Sequence, residues 1–305
     1  MELRRKIVKH GPSSLTVSLP MHWVKNNNLK NGDEVEVLER PRELVISGEG
    51  KREAKEITIT LSSKNPFVKR LFNTPYLHGY DIINVKFDSY IVMEKILQCV
   101  NAWRSFEVIE QRENFCKLKS IAEAKPEELD AMIVRMFNIC DTVLEELLLF
   151  IKKDDLEALK RILLLDSTMT GIDLFCRRVI NTGKGIEIEK AGSVYSIVRI
   201  LEEISDLARD IANRCPKIRM IHKQEFTKIV ELSMQSLVLL RKIRYKGEVE
   251  LMYEYKELKN QLRARFDKDH NFNSEEMFFF MTLRHLIYEL HDLSGEVLLW
   301  VKWGQ

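Results

Sequence analysis

The sequence has no hydrophobic run long enough to cross a membrane and no cysteine pair of the C-x-x-C type. Its five cysteines are widely spaced and odd in number, so a disulfide framework is not expected. Buried thiols in a reducing compartment are the simpler interpretation. No apolar segment of the signal-peptide kind lies near the first residue. We therefore expect a cytoplasmic protein that is not an integral membrane protein.

Signatures of catalysis are also missing. The seven histidines contain no H-x-x-x-H pair, and no Ser-His-Asp or Cys-His set can be argued from spacing. We expect the protein not to be an enzyme. A metal-dependent hydrolase that uses the carboxylates described below is a distant alternative.

The charged residues are unevenly distributed along a chain of 305 residues whose net charge is only +2. Residues 1–30 contain six lysines and arginines against one acid, a local charge of +5, whereas residues 31–50 contain two against six, or −4. A localised basic edge suits contacts with phosphate groups. On charge alone, a solvated charged strand explains the pattern equally well. The length predicts two or three domains.

The first predicted domain, residues 1–48, is rich in strands and has one short helix. Pro20 suits the first turn of that helix, and Asn31-Gly32-Asp33 has the composition of a turn before an alternating strand. Its basic residues, which are the candidate DNA contacts, are Arg4, Arg5, Lys6, Lys9 and His10. A unit this small buries little core alone, so we expect at least a homodimer.

Two further domains follow. Residues 51–121 read as β-α-β-α-β-β, which predicts a small α+β domain with helices on one face of a sheet. Residues 126–305 show helical periodicity almost throughout, in two sets of three helices at 126–216 and 222–303. The spacing of roughly 90 residues between the sets predicts a pair of elongated three-helix bundles.

The N-terminal segment resembles the AbrB/MazE/SpoVT family of swapped-hairpin DNA-binding domains. The matching stretches are Leu15-Thr16-Val17-Ser18-Leu19-Pro20, Trp23-Val24 and Gly32-Asp33-Glu34-Val35. The resemblance covers about 45 residues and implies that two chains interlace into one β-barrel. The basic strands would then lie side by side on one surface. Arg4 and Arg5 are the best candidates for base or phosphate contacts, because a guanidinium makes two parallel hydrogen bonds. Lys6, Lys9 and His10 would position the DNA backbone.

The helical half is similar to PhoU, the phosphate-uptake regulator made of two three-helix bundles. PhoU carries an E-x-x-x-D element on the third helix of each repeat. Here the copies are Glu202-Glu203-Ile204-Ser205-Asp206 and Tyr288-Glu289-Leu290-His291-Asp292, where Tyr288 replaces the leading acid. The whole arrangement resembles archaeal phosphate-uptake regulators. It implies a DNA-binding regulator of phosphate homeostasis whose tail senses a metal, phosphate status or a transporter partner. The alternative is an adaptor that docks on a phosphate ABC transporter ATPase or a sensor kinase, with the head acting only as a dimer clamp.

Four carboxylates form the candidate metal site. Glu202 and Asp206 lie four residues apart on one helix, and Asp166 and Asp173 share a row on the preceding helix. Two packed helices that carry these acids would make an oxygen-rich site for a cation such as iron, manganese or magnesium. The resemblance implies a multinuclear iron or other metal cluster. Rows of this kind are more often the wet face of a helix, and we prefer that interpretation narrowly.

The second repeat does not repeat the acids. Glu254 and Gln261 stand at the positions of Asp166 and Asp173, and Tyr288 and Asp292 at those of Glu202 and Asp206. One acid is lost on each helix, so a second metal site is not expected.

Overall fold

The computed structural model describes residues 4–40, 43–48, 54–103, 105–122, 127–183, 186–215 and 220–300. It divides into two compact units, Met1–Lys55 (the N-terminal unit) and Glu56–Gln305 (the C-terminal unit). Strands dominate the first third and long helices the rest, which confirms a multidomain α+β chain with a mostly helical C-terminal region. Among the described residues, no helix is long and apolar enough to span a bilayer.

The N-terminal unit contains two separate antiparallel hairpins. Strands β1 (Val8–His10) and β2 (Ser14–Thr16) pair around a turn in which Gly11 has a positive φ of 75°. Helix α1 (Met21–Asn26) begins after Pro20, and β3 (Val35–Arg40) pairs with β4 (Glu43–Gly48). The first strand is shorter than predicted: residues 4–7 make no backbone pairing with the residues described. The interlaced two-chain barrel stays a prediction.

The N-terminal unit has almost no core of its own. Of its side chains that the structure describes, none is buried, and large apolar ones lie open to solvent. Ile7 is 69% exposed and Leu15 is 70% exposed. A unit with so little buried apolar surface does not offset the entropy lost on folding.

The C-terminal unit begins with a four-stranded sheet of order β5-β6-β8-β7. The strands are β5 (Glu56–Leu61), β6 (Ile82–Phe87), β7 (Phe106–Arg112) and β8 (Phe115–Ser120). Strand β5 is parallel to β6, and the other pairs are antiparallel. Helices α2 (Val68–Leu77) and α3 (Tyr90–Ala102) provide the crossovers, so the predicted β-α-β-α-β-β order is confirmed. The core is centred on Trp103, whose ring stacks on Phe72 and Tyr76 at 4.5 and 4.6 Å.

Six long helices follow. Their bounds are α4 (Glu128–Lys153), α5 (Leu156–Asn181), α6 (Ile188–Arg214), α7 (Lys223–Lys246), α8 (Leu251–Phe266) and α9 (Ser274–Trp300). Asp155 caps α5 by accepting a hydrogen bond from the Glu157 N–H, and Gly247 ends α7 in the left-handed conformation. The three helices of each predicted set contact one another, and the sets also meet through α6 with α9 and α4 with α7. One continuous apolar cluster includes residues of all six helices.

Residues 56–120, which we call the sheet segment, pack against α5 through α2 and α3. The predicted boundary between residues 121 and 126 therefore lies inside the C-terminal unit. Leu174 of α5 belongs to the core of the sheet segment. Arg178 is buried and donates to the Tyr76 carbonyl at 2.5 Å. Gly171 permits a close approach of the two backbones, since a Cβ there would lie 2.9 Å from the Ala102 carbonyl oxygen. These contacts hold the sheet segment and α5 in one arrangement.

Candidate functional sites

The predicted DNA contacts lie at the surface of the N-terminal unit. Lys9 and His10 belong to β1, and Arg4, Arg5 and Lys6 precede it in an extended segment. All five side chains are exposed. The structure describes no carboxylate that pairs with any of the four lysines and arginines, so they are available to other anions. Their role as DNA contacts stays a prediction.

Apolar side chains of the same unit accompany the basic ones. Val8 and Leu15, on the two strands of the first hairpin, are 59% and 70% exposed. Other large apolar residues that are exposed in this unit are Ile7, Val17, Met21, Val37 and Leu44. Single apolar residues are normal on a protein surface. A unit whose large apolar side chains are exposed and not packed in a core indicates a surface that is buried against a partner.

The four carboxylates predicted as metal ligands lie along the contact between α5 and α6, which we call the carboxylate seam (Asp166, Asp173, Glu202 and Asp206). At one end, Asp166 accepts a hydrogen bond from the Ser205 hydroxyl at 3.1 Å. Arg209 contacts Asp206 closely and also lies 3.5 Å from Asp166. A single guanidinium therefore bridges a carboxylate of each helix.

The other end of the seam repeats this arrangement. Arg199 lies 2.6 Å from Glu202 and 3.5 Å from Asp173. Asp173 is only 2% exposed and also accepts from Arg177 at 3.0 Å, while its Oδ1 makes no hydrogen bond with the described residues. Because arginines neutralise the acids in pairs, the seam is an ion-pair network in this structure. Asp166, Asp173 and Glu202 are buried, so the preferred interpretation of these acids as the wet face of a helix is wrong. Whether the seam binds metal stays a prediction.

Burial shifts the protonation equilibria of the seam. Burial, with a smaller contribution from the negative charges of Asp173 and Asp206, raises the pKa of Glu202 to about 7, and Arg199 only partly opposes this rise. The pKa of Asp173 is also raised by burial, against the effect of Arg177 and Arg199. The four carboxylates of the seam face three arginines, Arg177, Arg199 and Arg209, so formal negative charge is in excess by one.

One carboxylate was missed by the sequence reasoning. Oxygens of Glu202, Glu203 and Asp206 lie within 4.8 Å of one another on α6. Glu203 makes no ion pair with the residues described. The bridging arginines were missed as well, although Arg199 and Arg209 lie three residues before Glu202 and three after Asp206. That spacing on a helix places the side chains on one face and was the available signal.

The second repeat differs from the first, as expected. Tyr288 is 53% exposed, and His285 lies 3.3 Å from Glu289 one turn along the helix. Lys259 of α8 reaches His291 of α9, which stands at the position of Ser205 in the first repeat.

The sequence reasoning also missed Glu276, whose hydrogen bonds join the starts of α7 and α9. The Glu276 side chain is fully buried and accepts from the backbone N–H groups of Ile221 and His222 at 2.6 and 2.9 Å. Burial opposes ionisation of Glu276, but these N–H donors and the His222 ring outweigh it and hold its pKa below the ordinary value. An N-x-x-E spacing, Asn273 to Glu276, was the signal for this capping role.

Comparisons with known proteins concern the N-terminal unit only. Residues 8–54 match the family model described as antidote-toxin recognition MazE, bacterial antitoxin. The match supports a head of the AbrB/MazE type. No curated protein and no solved structure matches the chain.

Proposed function

We propose that the protein is a DNA-binding transcriptional regulator that acts as at least a homodimer. The observation that carries the proposal is the combination, in one small unit, of basic side chains that make no ion pair with the described residues and apolar side chains that lie exposed there. The family match to residues 8–54 supports the same interpretation. In this proposal the apolar residues are buried between two chains, and the basic segments meet on one surface.

The charge of that surface follows from the sequence. Each chain contributes a local charge of +5 over residues 1–30, so two chains present about +10 to DNA. Cationic side chains that neutralise phosphates release condensed counterions, which makes the affinity fall steeply with salt. Binding should therefore be strong at low ionic strength, with Arg4 and Arg5 in direct contact with the DNA.

The salt dependence of binding tests this proposal. Replacing Arg4 and Arg5 by glutamine removes four cations from a dimer, so the slope of log affinity against log salt should become shallower by about 3 to 4. The measurement is fluorescence anisotropy of labelled duplexes selected from a random library. Lys153→Gln with Lys268→Gln removes the same charge from exposed positions of the C-terminal unit and should leave the slope unchanged. An unchanged slope in the Arg4 and Arg5 variant would refute DNA contact by these residues.

The adaptor is the alternative function. In it the head only joins two chains, and the helical half docks on a phosphate ABC transporter ATPase or a sensor kinase. Binding without sequence preference, with little affinity at physiological salt, would favour the adaptor. The family name also raises toxin neutralisation, but the helical C-terminal unit is unlike the short disordered tail usual for that role.

We propose that the helical half senses the signal to which the regulator responds. In this proposal the protein regulates phosphate homeostasis, lies in the cytoplasm and is not an enzyme. The resemblance of Glu202–Asp206 to the PhoU element supports this assignment. The donor set of Glu202, Glu203 and Asp206 fits a hard divalent cation such as iron or manganese if Arg199 and Arg209 turn away. When bound, the metal would supply the positive charge that the seam lacks. Asp166 and Asp173 would then keep the arginines as partners.

Thermal unfolding of chelator-treated protein tests this assignment. Added Mn²⁺ should raise the unfolding temperature, because a ligand that binds only the folded state stabilises it. Glu203→Gln should reduce that rise without breaking an ion pair among the residues described. Glu254→Gln, which removes the same charge from an exposed position on α8 in the second repeat, is the control. An equal rise in both variants would exclude the site.

A further inference from the structure

The contact between α8 and α9 is organised by one buried hydrogen bond. The Tyr255 hydroxyl donates to the Leu290 carbonyl at 3.0 Å. Elsewhere the two helices approach each other at few points. One turn further along α8, Lys259 faces His291, the residue after Leu290. The backbone register therefore sets Lys259 and His291 opposite each other.

The geometry between these two side chains leaves the edge of the imidazole open. Lys259 Nζ is 2.8 Å from Nδ1 and 3.0 Å from Nε2 of His291. A point so close to both ring nitrogens cannot lie in the ring plane, because it would collide with the ring. The ammonium therefore lies over the ring face, an arrangement favourable for a neutral imidazole. Both nitrogens keep their in-plane directions free for another partner.

A third cation adjoins the pair. Arg263, one turn after Lys259 on α8, is exposed and makes no ion pair with the residues described. Burial and the charges of Lys259 and Arg263 lower the pKa of His291, and only Asp292 opposes them. Burial and Arg263 likewise lower the pKa of Lys259. In the carboxylate seam every arginine has an acidic partner, whereas here cations are in excess.

We propose that Lys259, Arg263 and His291 form a binding site for a tetrahedral oxyanion of the phosphate or sulfate type. The ammonium offers three donors, the guanidinium a planar fork and the protonated imidazole two edges, which suits an anion with several oxygens. Room exists beside them: Gly295, one turn after His291, has no atom within 4 Å of where a Cβ would stand. The site is independent of DNA binding by the N-terminal unit.

Binding should couple to protonation of His291. A dianion between the three groups replaces mutual repulsion by attraction, so it raises the pKa of His291 and of Lys259. The charged groups that act on this imidazole are Lys259 and Arg263 from α8 and Asp292 from α9. Sulfate remains a dianion across neutral pH, so its affinity should increase as the pH falls and His291 gains a proton.

The test is a titration of the full chain with inorganic phosphate, glycerol phosphate and sulfate, followed by calorimetry and by NMR of labelled histidine rings. Lys259→Gln and Arg263→Gln should each weaken binding by about tenfold, as loss of a charge-assisted hydrogen bond predicts. His291→Gln should abolish the pH dependence of sulfate affinity. Similar affinities for both phosphate compounds would indicate that the group alone is recognised, and preference for glycerol phosphate would indicate an organic phosphate.

The control separates a site from general screening. Lys242→Gln removes the same charge from an exposed position on α7 and should leave affinity unchanged. Equal weakening in Lys242→Gln and Lys259→Gln would overturn the proposal, as would the absence of saturable binding to the unaltered protein. Circular dichroism of each variant checks that the fold is retained, since all substitutions are at exposed or half-buried positions.

Discussion

Replacing Glu202 by glutamine should change how the stability of the protein depends on pH. The side chain is 8% exposed, and burial raises its pKa to about 7 from an ordinary value of 4.5. The folded state therefore holds this proton more tightly than the unfolded chain does. The resulting stabilisation is complete below the ordinary value and is lost as the pH rises through the folded value.

The size of the effect follows from those two values. Between about pH 5 and pH 8, ionisation of Glu202 costs the folded protein roughly 2 to 3 kcal/mol relative to the unfolded chain. Glutamine cannot ionise, so the variant avoids this loss. Arg199 keeps Asp173 as a partner at 3.5 Å, which limits the cost of removing its other ion pair. The variant should gain stability over the original protein as the pH rises.

Urea unfolding at several pH values, with a chelator present, measures the difference in free energy of unfolding between the two proteins. Contributions of groups common to both cancel in the difference. Glu254→Gln, at an exposed acid on α8, is the control and should give a difference that varies little with pH. A difference between Glu202→Gln and the original protein that is constant from acid to alkaline pH would refute the assigned burial of this carboxyl.

Two other substitutions test the packing. Gly171→Ala should destabilise the fold by about 1 to 3 kcal/mol in thermal unfolding, because the new Cβ would meet the Ala102 carbonyl oxygen at 2.9 Å. Gly192→Ala, in open space, should cause no loss. Glu276→Gln should cost about 1 to 3 kcal/mol near neutral pH, because an amide nitrogen faces donors such as the His222 N–H. Since the pKa of Glu276 is lowered, this cost should fade as the pH falls through its folded value, and a constant cost would contradict the capping role.

Local sequence signals predicted the elements and some of the caps. The helical periodicity after residue 126 predicted six helices, and Asp155, a residue type common at helix starts, caps the second of them. Helix α6 begins at Ile188 and includes Gly192 in its second turn. Glycine costs about 1 kcal/mol inside a helix, and packing of α6 against α5 and α9 outweighs that cost.

The site was predictable only where the information was local. Spacing placed Glu202 and Asp206 on one face, but which cation neutralises each acid depends on the register between α5 and α6. Arg199 and Arg209 bridge the helices because of that register, which no periodicity encodes. Arg178 is the stronger case, since its partner carbonyl at Tyr76 lies 102 residues earlier in the chain.

Helix α5 links the carboxylate seam to the sheet through opposite faces. Asp166 and Asp173 face α6, whereas Leu174 packs in the core of the sheet segment. The adjacent Arg177 and Arg178 divide in the same way, one bonded to Asp173 and the other to the sheet segment. At Gly171 the backbones of α5 and α3 are so close that even a methyl group would not fit between them. A change of charge in the seam that moved α5 would therefore have to move the sheet with it, since close-packed interiors transmit displacement rather than absorb it.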